Sequence, residues 1–360
     1  MNGIFKLKPS ISFFMQNQTT TRLGKKFKFS SATVDYYFAN GIAHLQDITP
    51  RNNTFLITDE NIFSAHTKRF KNWNTIVLKP GEEFKVQATV DTVIEQLINM
   101  GADRSCTLVG VGGGVITDLT GYIASVYMRG VRFGFIPTTL LALVDASIGG
   151  KNGIDVGVYK NMVGIIRQPA FLLHDMVFLN SLPQSEWENG FAEIIKHACI
   201  KDAGMFKELE NKSLKFYQSK KKEICRLVQE NALIKTKVVQ QDEFEKGDRK
   251  LLNFGHTLAH AIENIYELSH GQAVSIGMTY ASHISEIFTG FKDTNRVVST
   301  LEKYNLPTYA SFNKKKAFDI LLKDKKKVQG EMNYVLLEKI GKGVIRKIPL
   351  TQLREIIEKL

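Results

Sequence analysis

At 360 residues, with 43% hydrophobic and 23% charged side chains, the chain can bury two sizeable cores and has an ordinary globular balance. No apolar run approaches the roughly 20 residues of a membrane span, and the N-terminus lacks the apolar core and small-residue cleavage site of a secretory signal. A formal charge of +12 suits anionic ligands, but no nucleic-acid motif or interleaved aromatic pattern accompanies it. Three cysteines, Cys106, Cys199 and Cys225, without metal-type spacing fit a reducing cytoplasm, so the expectation is a cytoplasmic protein without membrane or nucleic-acid partners.

In chain order, residues 1 to about 30 read as a weakly ordered start leading into early strands. NNTFLITDEN (52–61) is an apolar strand ending in Asp59, Glu60 and Asn61, where a doubly wound sheet exposes ligand contacts. WNTIVLKPGEEFK (73–85) repeats strand and turn. VQATVDTVIEQLINMG (86–101) has helical spacing and stops at Gly101. TLVGV then opens a strand, Gly112, Gly113 and Gly114 make a turn, and VITDLTGYIASVYM follows as a helix. That sequence of elements presents bare N–H groups and a helix N-terminus to a phosphate. Val115 stands where G-x-G-x-x-G needs its last glycine, so this is not the usual dinucleotide fingerprint. Asp118, in the first helical turn, either caps the helix or orients a ribose.

Further short strands (133–138 and 170–175) continue a parallel α/β domain. Around them, loop-like positions beside a glycine, a proline or the end of an apolar run hold Arg129, Thr138, Thr139, Asp145, Lys151, Lys160 and Asn161. Asp145 is either a buried cap or a ligand-orienting carboxylate. From Glu186 to Tyr304 nearly every segment is helical in spacing, and 331–348 reads as a hairpin before a terminal helix. The expected fold is an N-terminal α/β nucleotide-binding domain with a parallel sheet (1–180) and a mainly helical metal- and substrate-binding domain (181–360). The lysine runs 220–222 and 314–316 read as solvated helix faces.

The second cluster of chemistry lies in the helical part. His256 and His260 are four apart and share a helix face, and His270 stands beside Gly271. Glu193 and Lys196 are three apart on another apolar helix. A helical histidine pair also occurs as packed or surface residues, but two imidazoles with one carboxylate and an open position form a common zinc set. Zn²⁺ is the preferred ion, with another divalent cation open. With Arg249, the lysines describe a pocket for a strongly anionic, phosphorylated ligand.

Five long blocks, GGGVITDLTGYIASVYMRGVRF, IPTTLLALVDASIGGKNGID, YKNMVG, NGFAEIIKHA and LLNFGHTLAHAIE…SHGQAVSIGM, resemble the 3-dehydroquinate synthase family from about residue 52 to 285. The resemblance implies a homodimeric lyase of the shikimate pathway that uses NAD⁺ and Zn²⁺, with Co²⁺ as the alternative. Its substrate is a small phosphorylated sugar acid, 3-deoxy-D-arabino-heptulosonate 7-phosphate, which is oxidised transiently, loses phosphate, is re-reduced and closes by aldol addition. It implies Glu193, His256 and His270 as metal ligands. Asp59, Asn61, Glu82, Lys85, Gly113, Gly114, Val115, Asp118, Thr138, Thr139, Phe178 and Ser181 are implied as NAD⁺ contacts, joined by Lys151 and Lys160. Asp145, Lys151, Asn161, Lys196, Lys235, Arg249, Asn253, His260 and Lys325 are implied as substrate residues, with Lys160 between cofactor and substrate and Arg129 reaching a neighbouring subunit's site. Departures from the family pattern are Asp248 before Arg249, Ala259 between the helical histidines, Gln272 after His270-Gly271, and Gly157-Val158-Tyr159 before Lys160. The rivals are another sugar-phosphate cyclase, of the sedoheptulose 7-phosphate type, and a metal-dependent polyol dehydrogenase.

Overall fold

The computed structural model describes residues 24–38, 41–157, 159–263, 265–324 and 330–360. The expectation for the start of the chain falls largely outside them. The first half carries β1 (Lys25–Lys28), β2 (Thr33–Phe38), β3 (Thr54–Asp59), α1 (Glu60–Phe70), β4 (Asn74–Leu78), α2 (Gln87–Asn99), β5 (Thr107–Gly112), α3 (Gly114–Val126), β6 (Arg132–Pro137), β7 (Lys151–Val156), β8 (Tyr159–Ile166) and β9 (Phe171–His174). Seven of these strands form one sheet in the order β1-β2-β9-β6-β5-β3-β4, parallel except for β1. All six residues of β3 and of β5 are buried, as strands covered on both faces must be. From β3 the chain passes to β4 on one side and then returns to β5 on the other. The strand order therefore reverses between β3 and β5, and ligands of such sheets bind at the carboxyl ends flanking that point.

Two readings of the sequence are corrected here. The strand at 52–61 ends at Asp59, because the Asp59 carboxylate accepts from the Ile62 N–H at 3.0 Å and starts α1, which puts Asn61 in a helical first turn. The polar stretch from Lys151 to Asn161 is mostly an antiparallel hairpin, β7–β8, rather than loop. Gly157 at its bend has φ +58°, a value that a two-residue hairpin link needs and other residues rarely adopt.

The second half is α4 (Gln184–Lys201), α5 (Ala203–Asn211), α6 (Leu214–Ser219), α7 (Lys221–Gln241), α8 (His256–Glu263), α9 (His270–Thr289), α10 (Thr294–Lys303), α11 (Lys314–Asp324), the hairpin β10 (Glu331–Lys339) and β11 (Lys342–Pro349), and α12 (Leu350–Lys359). Helix α4 is its axis. Thirteen consecutive-to-near-consecutive residues, from Trp187 to Ile200, are buried against α5, α7, α9 and the hairpin. Among the described residues no helix is long and apolar enough to cross a membrane.

The halves meet along α7. Thr236 on α7 hydrogen-bonds Tyr36 on β2 at 3.0 Å inside the core. Just beyond α7, the buried Glu243 carboxylate accepts from Ser30 and Ser31 at the β1–β2 bend and from Gln168 before β9.

Candidate active site

On α4, residues 193, 196 and 197 point into one buried region because three- and four-residue spacings share a helix face. His256 opens α8 and His270 opens α9, and each places Nε2 3.5 Å from the same atom, Glu193 Oε1. Their other ring nitrogens have separate acceptors: His256 Nδ1 lies 3.3 Å from the Phe254 carbonyl, and His270 Nδ1 lies 3.6 Å from Glu263 Oε2. Protons assigned to the Nδ1 atoms leave both Nε2 lone pairs facing a carboxylate oxygen.

The fully buried Glu193 has no hydrogen-bond partner at either oxygen. The Lys196 ammonium touches Oε2, but not at a hydrogen-bonding angle. Three electron-rich atoms thus converge where a buried polar group needs a partner, and a divalent cation fits that donor set. The protonation pattern says the same. Burial opposes charge on His270, but Glu193 and Glu263 outweigh it and raise its pKa to about 10. Burial and the adjacent Lys196 push His256 well down. Burial also opposes charge on Glu193, yet Lys196 and His256 hold its pKa low. The site wants positive charge.

Beside this cluster, residues Ala142–Ala146 form a π-helical turn, a rare element that recurs at functional sites. It carries Asp145, whose Oδ1 lies 2.7 Å from Lys235 Nζ on α7, 3.4 Å from His197 Nε2 and 3.9 Å from Lys196 Nζ. Burial opposes its charge, but Lys235 and Lys196 outweigh it and hold the carboxyl well below the usual range. The same turn touches the glycine turn, because a Cβ on Gly114 would lie 3.4 Å from the Ala146 Cβ. The sheet end and the imidazole cluster are thereby joined through one π turn.

The glycine turn follows β5 at the switch point. Gly113 is the N-cap of α3 and offers no capping side chain, so the helix presents its first N–H groups uncovered. A Cβ at Gly113 would come within 3.0 Å of Thr139 Cγ2. Thr139 Oγ1 caps the turn after β6, and the Thr138 hydroxyl is buried without a partner. Asp59 ends the neighbouring strand. Across from α3, Lys85 Nζ binds Asp118 Oδ2 at 2.5 Å and Asn161 Oδ1 at 2.6 Å. This cradle of glycines, helix N-terminus and buried polar groups fits a dinucleotide phosphate. Ser181 accepts or donates to His66 at 2.8 Å nearby. Phe178 presents no side-chain surface, being fully buried beneath His66 and Arg69.

The hairpin supplies the remaining cations. Lys151 pairs with Glu245, whose other oxygen accepts from Asn253 Nδ2 at 2.7 Å. Lys160 meets Glu263 Oε1 at 2.6 Å. Arg249 is buried and donates to the carbonyls of Gly149 and Glu243, so it braces the turn from which Lys151 projects. His260, exposed, stands one turn along α8 from His256, with ring centroids 5.6 Å apart. Arg129 is not brought to this cleft. It is exposed beyond the far end of α3, about 20 Å from Gly114 at 1.5 Å per residue. Lys325 lies outside the described residues.

Four participants escaped sequence reading: His197, Asp155, Glu245 and Glu263. Asp155 Oδ1 accepts from the Asn161 N–H at 2.7 Å, and that contact depends on hairpin register. Glu263 alone left a signal, since it falls seven residues after His256 and three after His260, on the same helix face.

A doubly wound sheet joined to a helical bundle is the fold this chain shares with sugar-phosphate cyclases and iron-containing alcohol dehydrogenases. The chain superposes on 2-deoxy-scyllo-inosose synthase complexed with carbaglucose-6-phosphate, NAD⁺ and Co²⁺ with a TM-score of 0.83 at 24% identity, covering 93% of this chain and 99% of that one. An iron-containing alcohol dehydrogenase from Thermotoga maritima gives 0.65 at 12% identity over 92% and 99%. Within that class the chain belongs to the 3-dehydroquinate synthase family. Residues 75–189 match the family's N-terminal model and 190–327 its C-terminal model. The 3-dehydroquinate synthase of Campylobacter curvus (strain 525.92) is 40% identical over 318 residues, 85% of this chain and 90% of that protein. That of Pyrococcus abyssi (strain GE5 / Orsay) is 38% identical over 288 residues, 79% and 85%.

Proposed function

We propose that this chain converts 3-deoxy-D-arabino-heptulosonate 7-phosphate to 3-dehydroquinate and phosphate, with NAD⁺ and a divalent cation, Zn²⁺ or Co²⁺. Residues 1–180 serve as the NAD⁺-binding domain and 181–360 as the metal- and substrate-binding domain. The observation that carries the reading is the convergence of Glu193, His256 and His270 beside Lys196, joined through the Asp145 turn to the glycine turn. The family relatives bearing that activity's name support it.

When bound, the cation supplies Lewis acidity toward a substrate hydroxyl, and NAD⁺ supplies a reversible hydride acceptor. The chain's own residues do the rest. Glu193, His256 and His270 hold the cation. Lys196, between Glu193 and Asp145, holds a proton beside the reacting hydroxyl. Asp145, kept ionised, orients Lys196 and Lys235 toward the cleft. Lys151, Asn161 and Asn253 line the anionic end, with Arg249 bracing the turn beneath Lys151. His260, exposed one turn along α8 from His256, contacts the substrate. Asp59, Glu82, Lys85, Asp118, Thr138, Thr139 and the glycines serve the dinucleotide. This many cations favour a substrate carrying carboxylate as well as phosphate over the carboxylate-free sugar phosphate of the rival cyclases.

The partner is a second copy of the chain, in a cytoplasmic homodimer. Strand β8 is exposed from Tyr159 to Ile165, pairs on one edge alone among the described residues, and displays Tyr159, Met162, Val163 and Ile165. Such an edge is usually covered. Exposed Val126 and Met128 precede Arg129 at the end of α3, the placement a residue serving a neighbour's site requires.

The test is to incubate purified protein with NAD⁺, Zn²⁺ and the heptulosonate phosphate while following phosphate and NADH. Phosphate release without net NADH is expected, and Glu193→Gln should lose activity and bound metal together, by at least roughly 100-fold. NADH accumulating without phosphate would mark a polyol dehydrogenase. Turnover of sedoheptulose 7-phosphate in preference would mark another cyclase.

A further inference from the structure

One carboxylate in the cleft has its two oxygens divided between the halves of the molecule. Glu263, the last residue of α8, sets Oε2 3.6 Å from His270 Nδ1 and Oε1 2.6 Å from Lys160 Nζ on β8. The Glu263 side chain is only 12% exposed, so the carboxylate is held within the cleft, while Lys160, 39% exposed, reaches it from the hairpin side. The two imidazoles of the cluster differ in this respect. His256 is oriented by the backbone carbonyl of Phe254, two residues before it at the end of a 3-10 turn, whereas His270 depends on a side chain. An imidazole bound to a metal through Nε2 is held in tautomer and orientation by whatever accepts its Nδ1 proton. The acceptor for His270 is Glu263.

We infer that Glu263 is a positioning residue for the metal site: it fixes His270 with Nε2 directed at the ion and, through its second oxygen, fastens the Lys160 hairpin to the same ligand. The assignment rests on the proposed metal reading of Glu193, His256 and His270, and it adds a consequence. Because one carboxylate serves both contacts, the placement of Lys160 and the orientation of His270 are linked. A Glu263 aligned with His270 also carries charge that favours a cation-bound imidazole.

The experiment uses full-length protein stripped of metal, with Glu263→Ala and Glu263→Gln. Co²⁺ affinity is measured by competition with a chelator, the visible Co²⁺ spectrum is recorded, and hydrogen exchange is followed over residues 151–166. Glu263→Ala should bind Co²⁺ roughly 10- to 100-fold more weakly, with altered d–d bands and faster exchange in the hairpin. Glu263→Gln, which keeps an acceptor oxygen without the charge, should fall between the two. If Glu263→Ala does not fold, as judged by its circular dichroism melt without metal, the glutamine variant decides the matter alone. Wild-type affinity and an unchanged Co²⁺ spectrum in the folded variants would overturn the assignment. Failure of the wild-type protein itself to bind Co²⁺ would instead overturn the metal reading on which it rests.

Discussion

The lysines around the cleft are of two kinds. Lys196 and Lys235 lie on α4 and α7, nearly inaccessible, and reach Glu193 and Asp145 on rigid elements. Lys151 and Lys160 lie on the hairpin with side chains 56% and 39% exposed, and each meets a glutamate from the helical half. Removing one partner of a buried pair strands a charge at about 3–5 kcal/mol, whereas an exposed pair contributes about 0–1 kcal/mol. The buried pairs are therefore fixed framework. The Lys151 pair, open on both sides, is exchangeable, and Lys151 can trade its glutamate for a substrate oxyanion at small cost, whereas Lys160 meets the more enclosed Glu263.

The largest effect should come from breaking the framework. Asp145→Asn removes the carboxylate shared by Lys235 and Lys196 and should cost about 3 kcal/mol in urea unfolding at pH 7, with turnover lost. A loss under about 1 kcal/mol would show that the cluster is more solvated than its burial indicates.

Glu243→Gln tests a case between the two. Its buried carboxylate joins Ser30, Ser31 and Gln168 to the end of α7, and replacing it should cost about 1.5–3 kcal/mol at neutral pH. Burial opposes its charge, but these hydrogen bonds lower its pKa from 4.5 to about 2. A depressed folded-state value means the contribution is full above pH 4.5 and fades as pH falls toward 2. The difference between wild type and variant should shrink over that interval. A difference that stays constant with pH would show that the glutamine loses packing rather than charge.

The contrast also marks what sequence can reveal. Buried β3 and β5, the glycine turn and the α4 residues Glu193 and Lys196 were legible, because strand runs, glycine and helical spacing act locally. The π turn was not, since its five-residue hydrogen bonding leaves no pattern of its own in ALVDA. The hairpin was hidden by its composition: exposed on one strand and packed against α3 on the other, Lys151–Ile166 lacks a consistent alternation. The lysine contacts of Glu245 and Glu263 were invisible because each spans about a hundred residues, and a charged residue near a helix end ordinarily faces water. Arg249 joins the anion pocket by its company and the substrate residues by resemblance alone. Its burial and two carbonyl acceptors depend on how 149 and 243 come together, which spacing does not encode.

The smallest change in stability should accompany Lys151→Met, and that is what makes it informative. The variant should unfold within about 1 kcal/mol of wild type, since the pair with Glu245 is half exposed. Its KM for the phosphorylated substrate should nevertheless rise about tenfold, the equivalent of one charge-assisted contact. Raising salt from about 50 to about 500 mM should weaken wild-type binding more than the variant's, because an exposed cation is screened and a missing one is not. If instead Lys151→Met destabilises as much as Asp145→Asn, with KM unmoved, the hairpin lysine is framework too. The glutamate would then be its permanent partner rather than a stand-in for substrate, and the division between the two kinds of lysine would fail at its exposed end.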